Sequence, residues 1–443
     1  MNTSVERNVR AVKVSVIIPI HNSEKYLREC LKSALNQTLE EIEILCIDTG
    51  NTELCLEMIA EFQKTDDRIV YIRDSDSSYG HKVNVGIGAS RGDYIAILES
   101  DDQMSPKMLE SLYSVAREHG VDIVDSDYIK FFSFNGKKFG RVILHYQEPE
   151  KYGHVVTREK GLAQNTATNG IWTALYRKNF LLENEIRLNE SPGASYQDTS
   201  FMFLTSFFAK TVYHLQLPLY HYRVDNTSSS VKNDNKVFDI LGECAFLKEE
   251  LRKRNVQESF AWSLYYTLKY NVFYWNYCRL SERSRAMFLE QYLKELKSDI
   301  ASGTINRELC DQNLYDRTFL LLDAPEKFRE LVAEANRHRP LEAIAEVLER
   351  LEGQEVVVFG AGLLGGRVID ILQQNGNRLL CVCDNAAALH GTNVGGYEVH
   401  PVEDTTKKFP NAHYLIVSRN YSDEMKAQLL DEKIDEANIE IFT

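Results

Sequence analysis

The chain lacks most of the features that would commit it to a membrane, a nucleic acid or an oxidising compartment. No apolar run approaches the ~18 residues needed to span a bilayer. The N-terminus, Met-Asn-Thr-Ser-Val-Glu-Arg-Asn-Val-Arg, has no signal-peptide apolar core, so any membrane contact is expected to be peripheral. Net charge is −14 with no local basic stripe, which argues against a nucleic-acid partner. The 8 cysteines (30, 46, 55, 244, 278, 310, 381 and 383) form no C-x-x-C pair. Most lie in apolar stretches such as Leu45-Cys46-Ile47, as expected of reduced core thiols in the cytosol. Internal repeats and low-complexity tracts are absent as well.

What is present is length and apolar content. The 443 residues allow two or three domains, and 44% hydrophobic residues can bury real cores. The first 130 or so residues alternate short apolar runs with amphipathic stretches. Val14–Ile20 reads as a buried strand, followed by a helix capped at Asn22 or Ser23 with Tyr26, Leu27, Cys30, Leu31 and Leu35 on one face. Strands at 42–47 and 69–72 and helices at 54–62 and after Gly80 continue the pattern. Such βαβα punctuation predicts a largely parallel sheet covered by helices. Ligands of such sheets bind beyond the carboxyl ends of the strands, where Asp48, Asp74, Asp76, Asp101 and Asp102 all fall.

The acidic strand end is the strongest chemical clue. Tyr94-Ile-Ala-Ile-Leu-Glu-Ser-Asp-Asp-Gln103 is an apolar run that delivers Glu99, Asp101 and Asp102 together. Carboxylates gathered at a buried strand end are costly without a cation. A hard divalent ion shared with substrate phosphates needs only one or two of them. A solvated acidic turn is the alternative.

Several motifs in order resemble those of family 2 glycosyltransferases with the GT-A fold. They are Ile18-Pro-Ile-His-Asn22, Ile47-Asp-Thr-Gly-Asn-Thr52, Asn84, Gly92-Asp-Tyr-Ile95, Leu98-Glu-Ser-Asp-Asp102 and Tyr196-Gln-Asp-Thr199, across roughly residues 13 to 230. The resemblance implies an inverting transferase that uses a nucleotide-diphosphate sugar with Mg²⁺ or Mn²⁺. By resemblance, Asp48 meets the base, typically uracil, while Pro19 and Asn22 shape the first nucleotide-contacting loop. Asp101 matches the metal-binding carboxylate, with Asp102 beside it and Glu99 toward the ribose. Two positions depart from the family pattern: Thr49 replaces a second Asp, and Glu99 replaces the first Asp of Asp-x-Asp-Asp.

Inversion needs one general base for the acceptor hydroxyl. Asp198, in a segment similar to the family's base motif with Gln197 in the Glu position, is the expected base; an N-cap role is compatible with it. Arg223 is a candidate for the diphosphate, since guanidinium can engage phosphate bidentately, or else forms an ion pair. His221, 23 residues after Asp198, stands where such enzymes can complete the metal shell, or is a neutral strand histidine. Lys82 and His81 either reach the phosphates or acceptor or belong to a solvated turn. Trp172 either stacks on a sugar or packs in the core.

A second fingerprint closes the chain. Gly360-x-Gly362-x-x-Gly365 follows an apolar strand and opens a helix, and Asp384 ends the next strand. The segment resembles the small Rossmann-like domain that begins some bacterial sugar acetyltransferases. About 90 residues without Tyr-x-x-x-Lys do not make a complete dehydrogenase or epimerase, so packing or oligomerisation competes with nucleotide binding.

The expected organisation is α/β: a GT-A domain over 1–230, a helical accessory region over 231–353 and a Rossmann-like domain over 354–443. The expected activity is transfer of a hexosyl or N-acetylhexosaminyl group from a UDP-sugar to a saccharide or lipid-linked saccharide in cell-surface glycan synthesis. The setting is cytoplasmic, with contact at the inner membrane face and a homo-oligomer both left open. The rivals are a nucleotide-sugar oxidoreductase built on the last domain and a catalytically silent sugar-nucleotide-binding module.

Overall fold

The structure is a computed structural model that describes residues 11–49, 52–134, 137–158, 170–226, 236–302, 305, 312–329, 344–418 and 421–442. Cys310 and the charged segment 337–340 lie outside the described residues. The chain divides into two compact units, Met1–Lys130 with Arg141–Asp323, and Phe131–Gly140 with Ala324–Thr443. The helices between 239 and 323 thus group with the first unit.

In the first unit the elements run β1 (Val14–Ile20), α1 (Leu27–Leu35), β2 (Ile42–Asp48), α2 (Glu53–Gln63), β3 (Ile69–Arg73), α3 (Tyr79–Ala89), β4 (Tyr94–Ile97), β5 (Gln103–Met104) and α4 (Met108–His119). There follow β6 (Ile123–Phe134) and β7 (Lys137–Ile143), whose residues within 131–140 group with the second unit, then β8 (Val155–Thr157), β9 (Ala174–Arg177), α5 (Lys178–Glu183), α6 (Gln197–Phe208) and β10 (Thr211–Arg223). Helices α7 (Asp239–Lys253), α8 (Ser259–Arg279), α9 (Glu282–Ala301) and α10 (Gln312–Asp323) complete it. The sheet order is β3-β2-β1-β4-β9-β6-β10-β5, with β7 on β6 and β8 on β10. Strands β1 to β4 are parallel, and β9 enters antiparallel.

Alternation along β1 builds two cores. Val14, Val16, Ile18 and Ile20 pack toward α1 and α4, while Ile17 joins α3 and α6 on the opposite face. A strand buried on both faces reads as a continuous apolar run, which is why Val14–Ile20 was recognisable. Gly86 lets α3 approach the sheet, because a Cβ there would stand 2.5 Å from Ile17 Cγ2. The aromatic stretch of α8 is core: Tyr265, Tyr266, Tyr270, Phe273 and Tyr277 are buried.

Helix α1 starts later than expected. Tyr26, not Asn22 or Ser23, is its N-cap. Asn22 is left-handed at φ 47°, and the Ser23 carbonyl accepts from the backbone N–H groups of Tyr26 and Leu27. A turn therefore carries the chain away from β1 before the helix begins.

The second unit holds β11 (Glu355–Phe359), β12 (Arg378–Cys383), β13 (Asn393–Val394), β14 (Tyr397–His400), β15 (His413–Val417) and β16 (Ile439–Phe442), in the order β13-β14-β12-β11-β15-β16. All pairs except β13–β14 are parallel. The two sheets and the helical middle make the expected α/β architecture.

Candidate active site

The register of the parallel strands brings their carboxyl ends level. Ile20 pairs with Asp48, and Asp48 with Arg73. Asp48 is buried at this edge, and its Oδ2 accepts from Tyr71 Oη at 2.9 Å. Lys82, on the first turn of α3, is buried and donates from Nζ to the Ile20 carbonyl at 3.0 Å. Burial pulls its pKa down, and Asp48, Glu99 and Asp76 work to keep it charged. Pro19 lies within β1, and Asn22 is exposed just past it.

The acidic segment turns at the end of β4. Asp102 is buried with both oxygens engaged: Oδ1 accepts from the Arg223 backbone N–H at 2.7 Å and Oδ2 from Tyr220 Oη at 2.8 Å. Asp101 is part-exposed, and its Oδ2 accepts from Asn226 Nδ2 at 2.7 Å. Glu99 accepts from Tyr79 Oη at 2.5 Å. Burial first, then the charges of Asp101 and Asp198, push Glu99 up to about 8 against that hydrogen bond.

Asp198 stands in the first turn of α6, which Tyr196 enters at φ 65°. Burial raises its pKa, opposed by the backbone and side chain around Thr199. Its charge acts on Glu99, Tyr79 and Tyr222, so the base expected from the sequence lies within electrostatic reach of the acidic turn. Gln197 takes no outward role. Its amide donates to Ser191 Oγ at 3.0 Å and to the Gly193 carbonyl at 3.1 Å, which fixes the approach to the helix.

Two of the candidate residues have protein partners in this structure. Arg223 is buried, donates from Nε to the Asp101 carbonyl at 2.9 Å, pairs with Glu29 at 3.0 Å and lies 4.3 Å over the Tyr26 ring. Its fork clamps the acidic turn to α1 in this structure. His221 meets Ser105 Oγ at 3.0 Å and is paired with Gln103 of β5. Asp101, Asp102 and His221 do not converge to ligand distance. Among the described residues, the group of His, Cys, Asp or Glu that does so is Asp125, His145 and His214. His81 bridges Asp74 at 3.3 Å and Glu190 at 3.1 Å, and its pKa is raised, chiefly by Glu190. Trp172 stacks on Tyr220 and Tyr222 with centroids 4.5 and 5.1 Å away.

Tyr71, Tyr79 and Tyr220 are site residues that sequence reasoning passed over. The alternation in Leu219-Tyr-His-Tyr-Arg223 was the available signal, since a strand must present Tyr220 and Tyr222 on one face.

The donor set suits a hard cation. Glu99 and Asp101 offer carboxylate oxygens, and the burial that raises Glu99, with the charge of Asp101 beside it, is a cost that a bound cation would relieve.

In the second unit, the glycine loop lines a cavity of about 640 Å³ with Arg367, Asp384, Ser418 and Tyr421. It opens where β11 is flanked by β12 and β15, the switch point of the sheet. Two of the glycines answer to backbone packing. Gly360 is at φ 124° and a Cβ there would stand 2.2 Å from the Val417 carbonyl oxygen, while one on Gly365 would stand 1.9 Å from that of Gly360. Gly362 caps the helix Leu363–Asn375. Asp384 is spent on the loop itself, accepting from the backbone N–H groups of Ala361 at 2.7 Å and Ala386 at 2.8 Å.

Residues 15–182 match the family model described as Glycosyl transferase family 2. The matched range includes Pro19, Asn22, Asp48, Lys82, Glu99, Asp101 and Asp102 and stops before Asp198. EpsH of Bacillus subtilis (strain 168), provisionally named a glycosyltransferase, is 29% identical over 51% of this chain and 65% of its own length. Glycosyltransferase GlyA of Streptococcus pneumoniae serotype 4 is 27% identical over 49% of this chain and 31% of its own. Glycosyltransferase GlyG of the same organism is 35% identical over 28% of this chain and 41% of its own. The chain thus spans less than two thirds of the length of each of these relatives. TarS 1–349 of S. aureus aligns with TM-score 0.45 and 17% identity over 66% of this chain and 87% of that one, too loosely to carry functional weight.

Proposed function

We propose that this protein is an inverting glycosyltransferase that moves a sugar from a UDP-sugar to a saccharide acceptor of cell-surface glycan, in a metal-dependent reaction of hexosyl or N-acetylhexosaminyl type. What supports the reading is the gathering of Glu99, Asp101 and Asp102 at the end of β4, beside the strand end that carries Asp48, with Asp198 near enough that its charge acts on Glu99. The family match over 15–182 supports it.

In this reading Asp48 accepts from the uracil ring, and Pro19 and Asn22 shape the loop over the nucleotide. Glu99 meets the ribose. Lys82 supplies a fixed positive charge beneath the diphosphate. Asp101, with Glu99 near it, would hold Mg²⁺ or Mn²⁺, which when bound stabilises the charge that develops on the leaving diphosphate. Asp102 anchors the turn through Tyr220 and Arg223. Arg223 positions the Asp101 backbone and His221 stands in reserve at β5. Asp198 takes the proton of the acceptor hydroxyl as that oxygen attacks the anomeric carbon from the face opposite the leaving UDP. A carboxyl raised by burial is a stronger base than an exposed one.

We read residues 1–230 as the transferase part, 231–353 as its helical support and 354–443 as an accessory α/β part related to the small domain of bacterial sugar acetyltransferases. The cavity beside Gly360, Gly362, Gly365 and Asp384 is its candidate ligand site. No helix among the described residues is long and apolar enough to cross a membrane, which fits work at the inner membrane face by peripheral contact. Calorimetry with UDP, GDP and dTDP, each with and without Mn²⁺, tests the donor assignment. UDP should bind with Mn²⁺ and Asp48→Ala should weaken it about tenfold or more, the scale of one lost charge-assisted hydrogen bond. Absence of binding by all three nucleotides would end the proposal.

A further inference from the structure

A second cluster of metal-ligand type lies away from the acidic turn. Asp125 stands near the start of β6, His145 in the loop after β7, and His214 in β10. One donor atom from each lies within 4.8 Å of the others. His214 Nδ1 is 2.6 Å from Asp125 Oδ1, and His145 Nδ1 is 3.6 Å from Asp125 Oδ2. All three side chains are buried, at 9%, 2% and 3% exposure for Asp125, His145 and His214. His214 precedes Tyr220 by six positions along β10, roughly 20 Å of strand, so the cluster is separate from the Asp101 turn.

We propose that Asp125, His145 and His214 bind a zinc-class divalent cation. Two imidazoles and a carboxylate are the borderline-soft donor set that zinc takes, whereas Mg²⁺ prefers oxygen alone. Neighbouring donors around tetrahedral zinc lie about 3.3–3.5 Å apart. The His145–Asp125 spacing is already close to this, and the His214–Asp125 pair must open by under about 1 Å, losing its shared proton to solvent. Neighbouring groups hold the three side chains in place. Tyr146 Oη is 3.2 Å from His214 Nε2, which fixes the ring with Nδ1 toward the carboxylate. Asp127, two positions on along the same strand face, accepts from the His145 backbone N–H at 2.7 Å and from Tyr152 Oη at 2.8 Å. Its other oxygen, Oδ2, is buried and has no hydrogen-bond partner. A second buried carboxylate with an unsatisfied oxygen beside the Asp125 carboxylate leaves negative charge that a cation would balance. Such a cation would tie the loop after β7 to β6 and β10.

The test uses untagged full-length protein, stripped with chelator and held in excess Mg²⁺, on an Asp101→Asn background so that the acidic turn does not report. Zn²⁺ should bind at one per chain and raise Tm, and X-ray absorption of the zinc-loaded protein should show a shell with two imidazoles. His145→Gln and His214→Gln should each weaken zinc binding at least tenfold, with unchanged circular dichroism. A stripped protein that takes up no zinc, or a shell without imidazole, would overturn the proposal whether or not the variants fold. Undiminished affinity in both folded variants would overturn it as well.

Discussion

Glu243 of α7 accepts a hydrogen bond at 3.0 Å from the backbone N–H of Ser200, two residues beyond the proposed base on α6. Its other oxygen takes Asn189 Nδ2 at 2.9 Å. One carboxylate thus ties the start of the helix that carries Asp198 to the loop before it.

Glu243 should also leave a pH signature. Burial first pushes its pKa up to about 7, against the hydrogen bonds from Ser200 and Asn189. A raised carboxyl binds its proton more tightly in the folded state than in the unfolded one. Stability linked to it is therefore full below the ordinary value of 4.5 and falls as pH rises toward about 7. Glu243→Gln removes this dependence. Denaturant unfolding should show the variant gaining on wild type by roughly 1–3 kcal/mol between pH 4.5 and 8. A difference that does not change with pH would contradict the assignment.

Replacing Asp198 with Asn preserves shape and removes the base. We expect kcat to fall by about 10²-fold or more with donor affinity near wild type, measured by steady-state kinetics and calorimetry. Transfer at the wild-type rate would take Asp198 out of the mechanism.

Asp101→Asn should abolish turnover and weaken metal-dependent UDP binding while leaving Tm within a few degrees of wild type, since Asp101 is part-exposed and Asp102 anchors the turn. Full activity of this variant in excess EDTA would remove the metal from the account.

Gly80 should resist substitution for a packing reason. A Cβ there would stand 1.9 Å from the Asn189 backbone oxygen, so Gly80→Ala must push α3 and the 188–190 loop apart. The expected cost is about 1–3 kcal/mol, with lowered activity because Lys82 and Tyr79 ride on the same helix. An unchanged unfolding midpoint would show that the loop yields freely.

The sheet was legible because its central strands are apolar on both faces and run out into polar residues within one to three positions. Val14–Ile20 was read to the residue, and β2 runs one residue past its expected end, to Asp48. The acidic turn was legible for the same reason, as a run that ends in carboxylates. What could not be read were the partners that arrive from far along the chain. Tyr220 meets Asp102 across 118 residues, and His214 meets Asp125 across 89. Arg223 was expected to engage a diphosphate or else to form an ion pair; β10 brings it to Glu29 and over the Tyr26 ring, partners that its own neighbourhood in the sequence does not reveal. Likewise Gly360 and Gly365 fit a phosphate loop by spacing, while their close backbone contacts supply a packing reason that spacing alone does not reveal.

The most direct test of the central claim is proton NMR of UDP-sugar turnover by the full-length protein with Mn²⁺ replaced by Mg²⁺ for spectral clarity. A panel of UDP-linked hexoses and N-acetylhexosamines would be offered with saccharide acceptors. The account predicts that at least one donor is consumed with release of UDP, that an α-linked donor gives a β-linked product, and that Asp198→Asn suppresses the reaction. A product that retains the donor's anomeric configuration, or a folded protein that consumes none of the panel, would contradict it.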